Sequence, residues 1–283
     1  MLDLPRSARL AAWGTGVLTG RVPVAGAVAA VVRDDEPHGV RWEDDAGAGP
    51  GAGTGDLAGL LGALAGSAAG AGAGGGLDRL LLVLPVPGDP RGLPGPAAVN
   101  VAALEAGECV LLEPAAGPGG EPGGGRRWAL VPQVTEFGSV WEPGALVRWD
   151  VHAAAPRRVP ESSGVAESEQ ELRVALATAT RALSTLDVAR WREEAADRIA
   201  AVRDGGLVRD ALPPGFAPRA LRVAQTAARV LAIVDLATED DGAAITSLEA
   251  TSRAAALREV GAVARRALVA AVNAPAEDAA GRV

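Results

Sequence analysis

The chain has no lysine and no tyrosine, one cysteine, one methionine, two histidines and two phenylalanines among 283 residues. Without lysine there is no phosphate-loop amine, no Schiff base and no kinase-type lysine, so those reaction classes are closed. A single thiol, Cys109, permits neither an internal disulfide nor a thiolate metal cluster and fits a reducing compartment. It stands in "GECVLLEP", the start of an apolar strand, where a buried inert thiol is expected. Every one of the 27 basic residues is arginine. Alanine, glycine, proline and arginine have GC-rich codons, and a high-GC genome accounts for the skew. The N-terminal stretch is interrupted by Arg9, Arg21 and Pro23, so neither a signal peptide nor a membrane span is expected there. The expected location is the cytoplasm.

What remains is ample for two domains. Apolar residues make up 48% and charged residues 22%, the balance of a globular chain. The formal charge is −8. Residues 1–155 carry 10 arginines against 17 acids, and residues 156–283 carry 17 against 18. Neither half is the basic body that nucleic-acid binding calls for, and none is expected.

The first half alternates short helical and strand-like segments, whereas the chain from about Glu167 is helical throughout. The sequence therefore predicts an α+β fold. An N-terminal mixed helix/sheet domain with antiparallel strands occupies 1–155, and an antiparallel helical bundle occupies 167–275. A linker at 156–166 joins them, and 276–283 form a disordered tail. "RLLLVLP" reads as a strand covered on both faces. "CVLLEP", "RWALVP" and "ALVRWDVH" follow as consecutive strands, the last alternating cleanly. "DLAGLLGALAGSAAG" is a helix that Asp56 can cap, and "AAVNVAALEAG" a helix closed by Gly107. "GAGPGAGTG" is read as a flexible loop. In the second half, apolar stripes at three and four include Leu172, Leu176 and Leu183, then Val188, Trp191 and Ile199. Thr246 and Glu249 have capping-box spacing before the last helix.

Motifs that carry chemistry are sparse. Gly70, Gly72 and Gly75 satisfy GxGxxG, but in the order helix, glycines, strand, which is the reverse of a dinucleotide site. The two histidines are not in ligand pairs, so no metal site is expected, and no cofactor. His152 lies two residues from Asp150 on one strand face, a pair that could orient an imidazole. Ser139 lacks a nucleophile-elbow context. "DDEPHGVRWEDD" and "TEDDG" read as solvated acidic segments. The arginines of the last two helices read as a salt-bridged outer face.

The stretch that draws most interest is "LPVPGDPRGLPGPAAVN", residues 84–100. It places a proline-stiffened loop at the end of a buried strand, where α/β proteins favour ligand crevices. Asp89 and Arg91 supply charge and Asn100 an amide. The competing reading is a stiff connection in which Asp89 caps a turn and pairs with Arg91.

"LPVPGDPRGLPGP", "ALEAGE", "LDVARWREEAADR" and "LPPGFAPRALRVA" together resemble a family of two-part proteins from high-GC Gram-positive bacteria. The similarity leaves out 46–55, 66–76 and 115–125. It implies the two-part layout and no activity, so no catalytic residue is carried over. The leading expectation is a non-catalytic cytoplasmic adaptor or regulator that binds another protein. The alternative is a small-ligand sensor or enzyme with a site at 85–100. The sequence sets neither catalysis nor oligomeric state.

Overall fold

A computed structural model of the chain describes residues 2–69, 77–89, 91–114, 125–139, 142–155, 164–185, 202, 205–208, 210–239 and 247–274. The expected glycine motif at 70–76, the linker core, the helix around Trp191, Thr246 and the tail lie outside them. The chain divides into two compact units. One comprises Pro5–Glu161 with Leu212–Pro214, and the other Met1–Leu4, Ser162–Ala211 and Gly215–Val283.

The first unit is the expected α+β body. Its elements run α1 (Arg6–Leu18), α2 (Val24–Val32), β1 (Gly39–Trp42), α3 (Leu57–Ala69), β2 (Leu77–Val83), α4 (Ala97–Ala106), β3 (Cys109–Pro114), β4 (Arg127–Gly138) and β5 (Pro143–Ala154). The strands form one sheet in the order β1-β5-β4-β3-β2. Consecutive strands β2 to β5 pair antiparallel: β2 returns to β3 through the proline loop and α4, and β4 turns back into β5 as a hairpin. β1 differs, lying parallel to β5 with Val40 opposite Trp149, so the sheet is mixed. Local pattern could not show this, because the partner of the four-residue β1 lies over 100 residues further on.

The two faces are filled by alternation. Leu81, Val83, Cys109, Leu111, Ala129 and Val131 share a buried cluster with Val99 and Ala103 of α4. The intervening residues Leu80, Leu82, Val110, Leu112, Leu130 and Trp149 are buried on the opposite face, where α1 packs on β2 and β3. From Leu80 to Val83, β2 is therefore apolar without a break because both of its faces are covered there. Asp56 caps α3 by accepting the Gly59 N–H at 2.7 Å, and Gly107 ends α4 in the left-handed conformation, φ 70°. The glycine-rich loop after β1 is packed, not loose. A methyl on Gly49 would stand 2.6 Å from Cζ3 of Trp42 and 2.8 Å from Cε2 of Trp128, and the Trp128 indole donates to the Ala46 carbonyl at 3.1 Å.

The second unit contains the long helices α5 (Val165–Thr185), α6 (Pro218–Glu239) and α7 (Ser247–Val272). α7 packs against both α5 and α6, burying Val260, Ala264, Ala267, Leu268 and Ala271. Arg219 reaches Glu169 at 2.7 Å and Arg266 reaches Glu171 at 3.8 Å, in line with the salt-bridged face expected of these arginines. Arg253 instead turns inward and donates to the Ala237 carbonyl at 2.9 Å. No described helix is long and apolar enough to cross a membrane.

Candidate functional site

The proline loop leaves β2 and returns to α4. Asp89 and Arg91, two residues apart, meet in a fork: Arg91 donates through Nε to Oδ1 at 2.7 Å and through Nη2 to Oδ2 at 2.5 Å. The Arg91 backbone N–H also donates to Oδ1, at 3.2 Å, and the Asp89 N–H to the Val86 carbonyl, at 3.0 Å. Asn100 does not join them. Its Oδ1 accepts the Gly95 N–H at 2.6 Å, beside the cis Gly95–Pro96 bond. The Ala155 N–H donates to the Pro94 carbonyl at 3.1 Å. All three expected site residues thus make contacts that shape the loop itself. A shallow depression of about 590 Å³ is lined elsewhere, by Val17, Leu18, Val22, Pro23, Val24 and Ala65 among others.

A second polar cluster was not foreseen. The segment expected to be a solvated acidic stretch splits: Asp34 is exposed, while Asp35 and His38 turn inward, the His38 side chain fully buried. The Trp149 indole N–H can only donate, and it meets His38 Nδ1 at 3.2 Å. The imidazole proton therefore sits on Nε2, which donates to Asp35 Oδ2 at 3.2 Å. Arg6 clamps the same carboxylate at 2.8 and 2.6 Å, with Arg9 at 3.5 Å. Burial pushes the His38 pKa down, the Asp35 carboxylate opposing and the two arginines reinforcing it. Burial opposes ionisation of Asp35 as well, but Arg6 and His38 outweigh it and hold that carboxyl below its usual range. Alongside, Glu108 accepts the Ser7 N–H at 2.7 Å in the first turn of α1, and burial raises its pKa. Both ring nitrogens of His38 are committed, which makes this cluster a rigid joint between α1, the strand-entry segment and β5.

His152 and Asp150 do not pair. Asp150, 5% exposed, receives Arg148 at 2.7 and 3.1 Å and Arg41 at 3.2 Å, whereas His152 lies 3.8 Å from Asp45. Side chains pointing the same way as Asp150 along β4 and β5 occupy the half of the sheet face beyond α4. There Gln133, Thr135, Phe137, Leu146 and Arg148 are all exposed. Phe137 and Leu146 are 48% and 54% exposed, and Val134 on the other side of the hairpin is 39%. The Phe137 ring lies over Gly144, where a methyl would meet Cζ at 2.6 Å. Ser139 closes the hairpin through reciprocal backbone bonds with Glu142, both 3.2 Å. The sequence signal was present in the strand-favouring Val134, Thr135 and Phe137 of "QVTEFG", but the strand reading stopped at Pro132.

A five-stranded mixed sheet flanked by helices, followed by a unit of long helices, defines a two-domain α+β protein. The chain belongs to the Rv1486c-like family: residues 7–162 match its N-terminal domain and residues 166–269 its C-terminal domain. It is 34% identical over 211 residues to "Uncharacterized protein Rv1486c" of Mycobacterium tuberculosis (strain ATCC 25618 / H37Rv), covering 68% of this chain and 69% of that protein. The same figures hold for "Uncharacterized protein MT1533" of strain CDC 1551 / Oshkosh. The resemblance to a two-part family of high-GC Gram-positive bacteria is thereby shown, with no established activity attached. No solved structure matches.

Proposed function

We propose that this protein is a cytoplasmic adaptor or regulator that acts by binding another protein, and that the β4–β5 hairpin makes the contact. The observation that carries this reading is the exposure of Val134, Phe137 and Leu146 on one hairpin, on strands whose other large apolar residues, among them Leu130, Val131, Val147, Trp149 and Val151, are buried. Clustered exposed aliphatic and aromatic side chains favour an interface, because covering them removes apolar area from water. A photo-crosslinking residue in place of Phe137, in native cells, is expected to trap one discrete partner. Leu146→Asp should abolish that adduct while leaving the melting temperature unchanged. Diffuse labelling, or an adduct indifferent to Leu146→Asp, would sink the proposal.

The alternative, a small-ligand sensor or enzyme at residues 85–100, requires a ligand to compete with the Asp89–Arg91 fork and the Asn100–Gly95 bond. Asp89→Ala separates the two readings. A structural fork predicts a loss of about 1 kcal/mol in unfolding free energy. A ligand site predicts stability within about 0.5 kcal/mol and loss of ligand-dependent thermal stabilisation.

A further inference from the structure

The open half of the sheet face has a chemistry more specific than exposed apolar area. Asp150 is buried beneath it and fixes the Arg148 guanidinium through Nε and Nη2. That grip occupies one edge of the fork. An arginine has five N–H donors in a planar array, so the Nη1/Nη2 edge of Arg148 keeps the geometry that accepts a second carboxylate in bidentate fashion. The side chain is 46% exposed, and Asp150 holds it in place, so little rotamer freedom remains to be lost on binding. Arg41, 52% exposed, leans on the same Asp150 oxygen at 3.2 Å and also donates to Glu43 at 2.6 Å, so the two arginines are balanced by two carboxylates and what Arg148 offers is the geometry of its outer edge.

Leu146 stands two residues before Arg148 on β5 and points to the same face, about 7 Å away at the rise of an extended strand. Phe137 is on that face too, one cross-strand pair further along and opposite Gly144. Apolar and cationic positions therefore repeat at the period of an extended chain, not of a helix.

We infer that this face docks an extended segment of a partner protein presenting an apolar side chain with a carboxylate two residues away. The apolar side chain covers Leu146 and Phe137, and the carboxylate takes the free edge of Arg148. A polyanion such as nucleic acid fits less well, because residues 1–155 carry 17 acids against 10 arginines and repel an extended phosphate chain. This inference rests on the protein-binding reading above and names the partner's chemistry.

The test is selection of random peptides of about twelve residues, displayed on phage, against the immobilised full-length protein. The expected result is enrichment of sequences with Leu, Ile, Val or Phe two residues from Asp or Glu. Recovery should fall at least about tenfold on Leu146→Ser and on Arg148→Gln, and by a similar amount on Arg148→Lys, which keeps the charge and loses the fork. Far-ultraviolet circular dichroism of each variant must match the parent. Enrichment without that spacing, undiminished recovery on the variants, or no enrichment at all overturns the inference. Failure here with a Leu146-dependent crosslink at position 137 would retire the carboxylate pairing and keep the protein-binding reading. Failure of both would retire the hairpin as an interface.

Discussion

At the scale of single residues, the His38 joint ties stability to pH in a direction that can be worked out. Its Nδ1 accepts the Trp149 indole proton, so protonating the ring sets two donors against each other. Burial lowers the folded-state pKa from the ordinary value of 6.5. As pH falls below about 6.5, the unfolded chain takes up a proton that the folded chain refuses. The unfolded state then binds more protons, and stability rises with pH. The contribution is present in full above that value and is lost as pH drops toward the folded pKa. Asp35, whose pKa is also lowered, acts in the same sense below 3.8. Glu108 acts oppositely: its raised pKa favours the fold in full below 4.5, and that gain is lost as pH rises from there through the higher folded value. Urea midpoints between pH 5 and 7.5 should climb with pH in the parent protein. In His38→Gln the climb should vanish while the midpoint drops throughout, reporting a loss of about 1–3 kcal/mol in unfolding free energy for the indole and carboxylate left poorly paired. An unchanged slope in the variant would move the effect to another group.

At the scale of elements, α1 and β2 are joined by one side chain. β2 is an edge strand, and its outward backbone at Leu80 would be an open invitation to pairing. Thr15 closes it: the hydroxyl accepts the Leu80 N–H at 3.0 Å and donates to the Leu80 carbonyl at 3.2 Å. Thr15→Val keeps the shape and removes both bonds to Leu80, a residue only 2% exposed. The expected cost is about 1–3 kcal/mol in chemical unfolding, with Thr15→Ser restoring most of it. Equal stability of all three proteins would show that water or a shifted helix supplies the missing partners. Thr15 also shows where sequence reading stops. Elements were legible because their signals are local: the unbroken run of β2, the Asp56 cap, the left-handed Gly107, the alternation of β5. The Asp89–Arg91 fork was legible too, since two residues of spacing suffice to suggest it. The Thr15–Leu80 closure, the parallel β1–β5 pairing and the His38–Trp149 bond join residues 65, 109 and 111 apart. Nothing in the composition of either end announces the other. The hairpin face was missed for a different reason, because exposure of Phe137 and Leu146 depends on α4 covering only part of the sheet.

At the scale of the whole molecule, the chain's first residues belong to the unit that the rest of the N-terminal half does not. Leu2, 5% exposed, bridges in parallel to Leu207. Its N–H donates to the Gly206 carbonyl at 2.9 Å, and its carbonyl accepts the Val208 N–H at 3.0 Å. Residues 1–4 therefore count with the helices, although the family's domains match only from residue 7 onward and from 166 onward. Truncating a buried leucine costs about 2–5 kcal/mol, and in a protein of two compact units that loss need not be shared. Leu2→Ala should speed amide hydrogen exchange in α6 and α7 while leaving the protected amides of β3, β4 and β5 at their parental rates, since exchange reports the opening of each cooperative unit separately. Faster exchange in the sheet by the same factor would mean that the units unfold as one, with the N-terminal four residues holding both. Faster exchange in the sheet alone would place those residues with the strands after all.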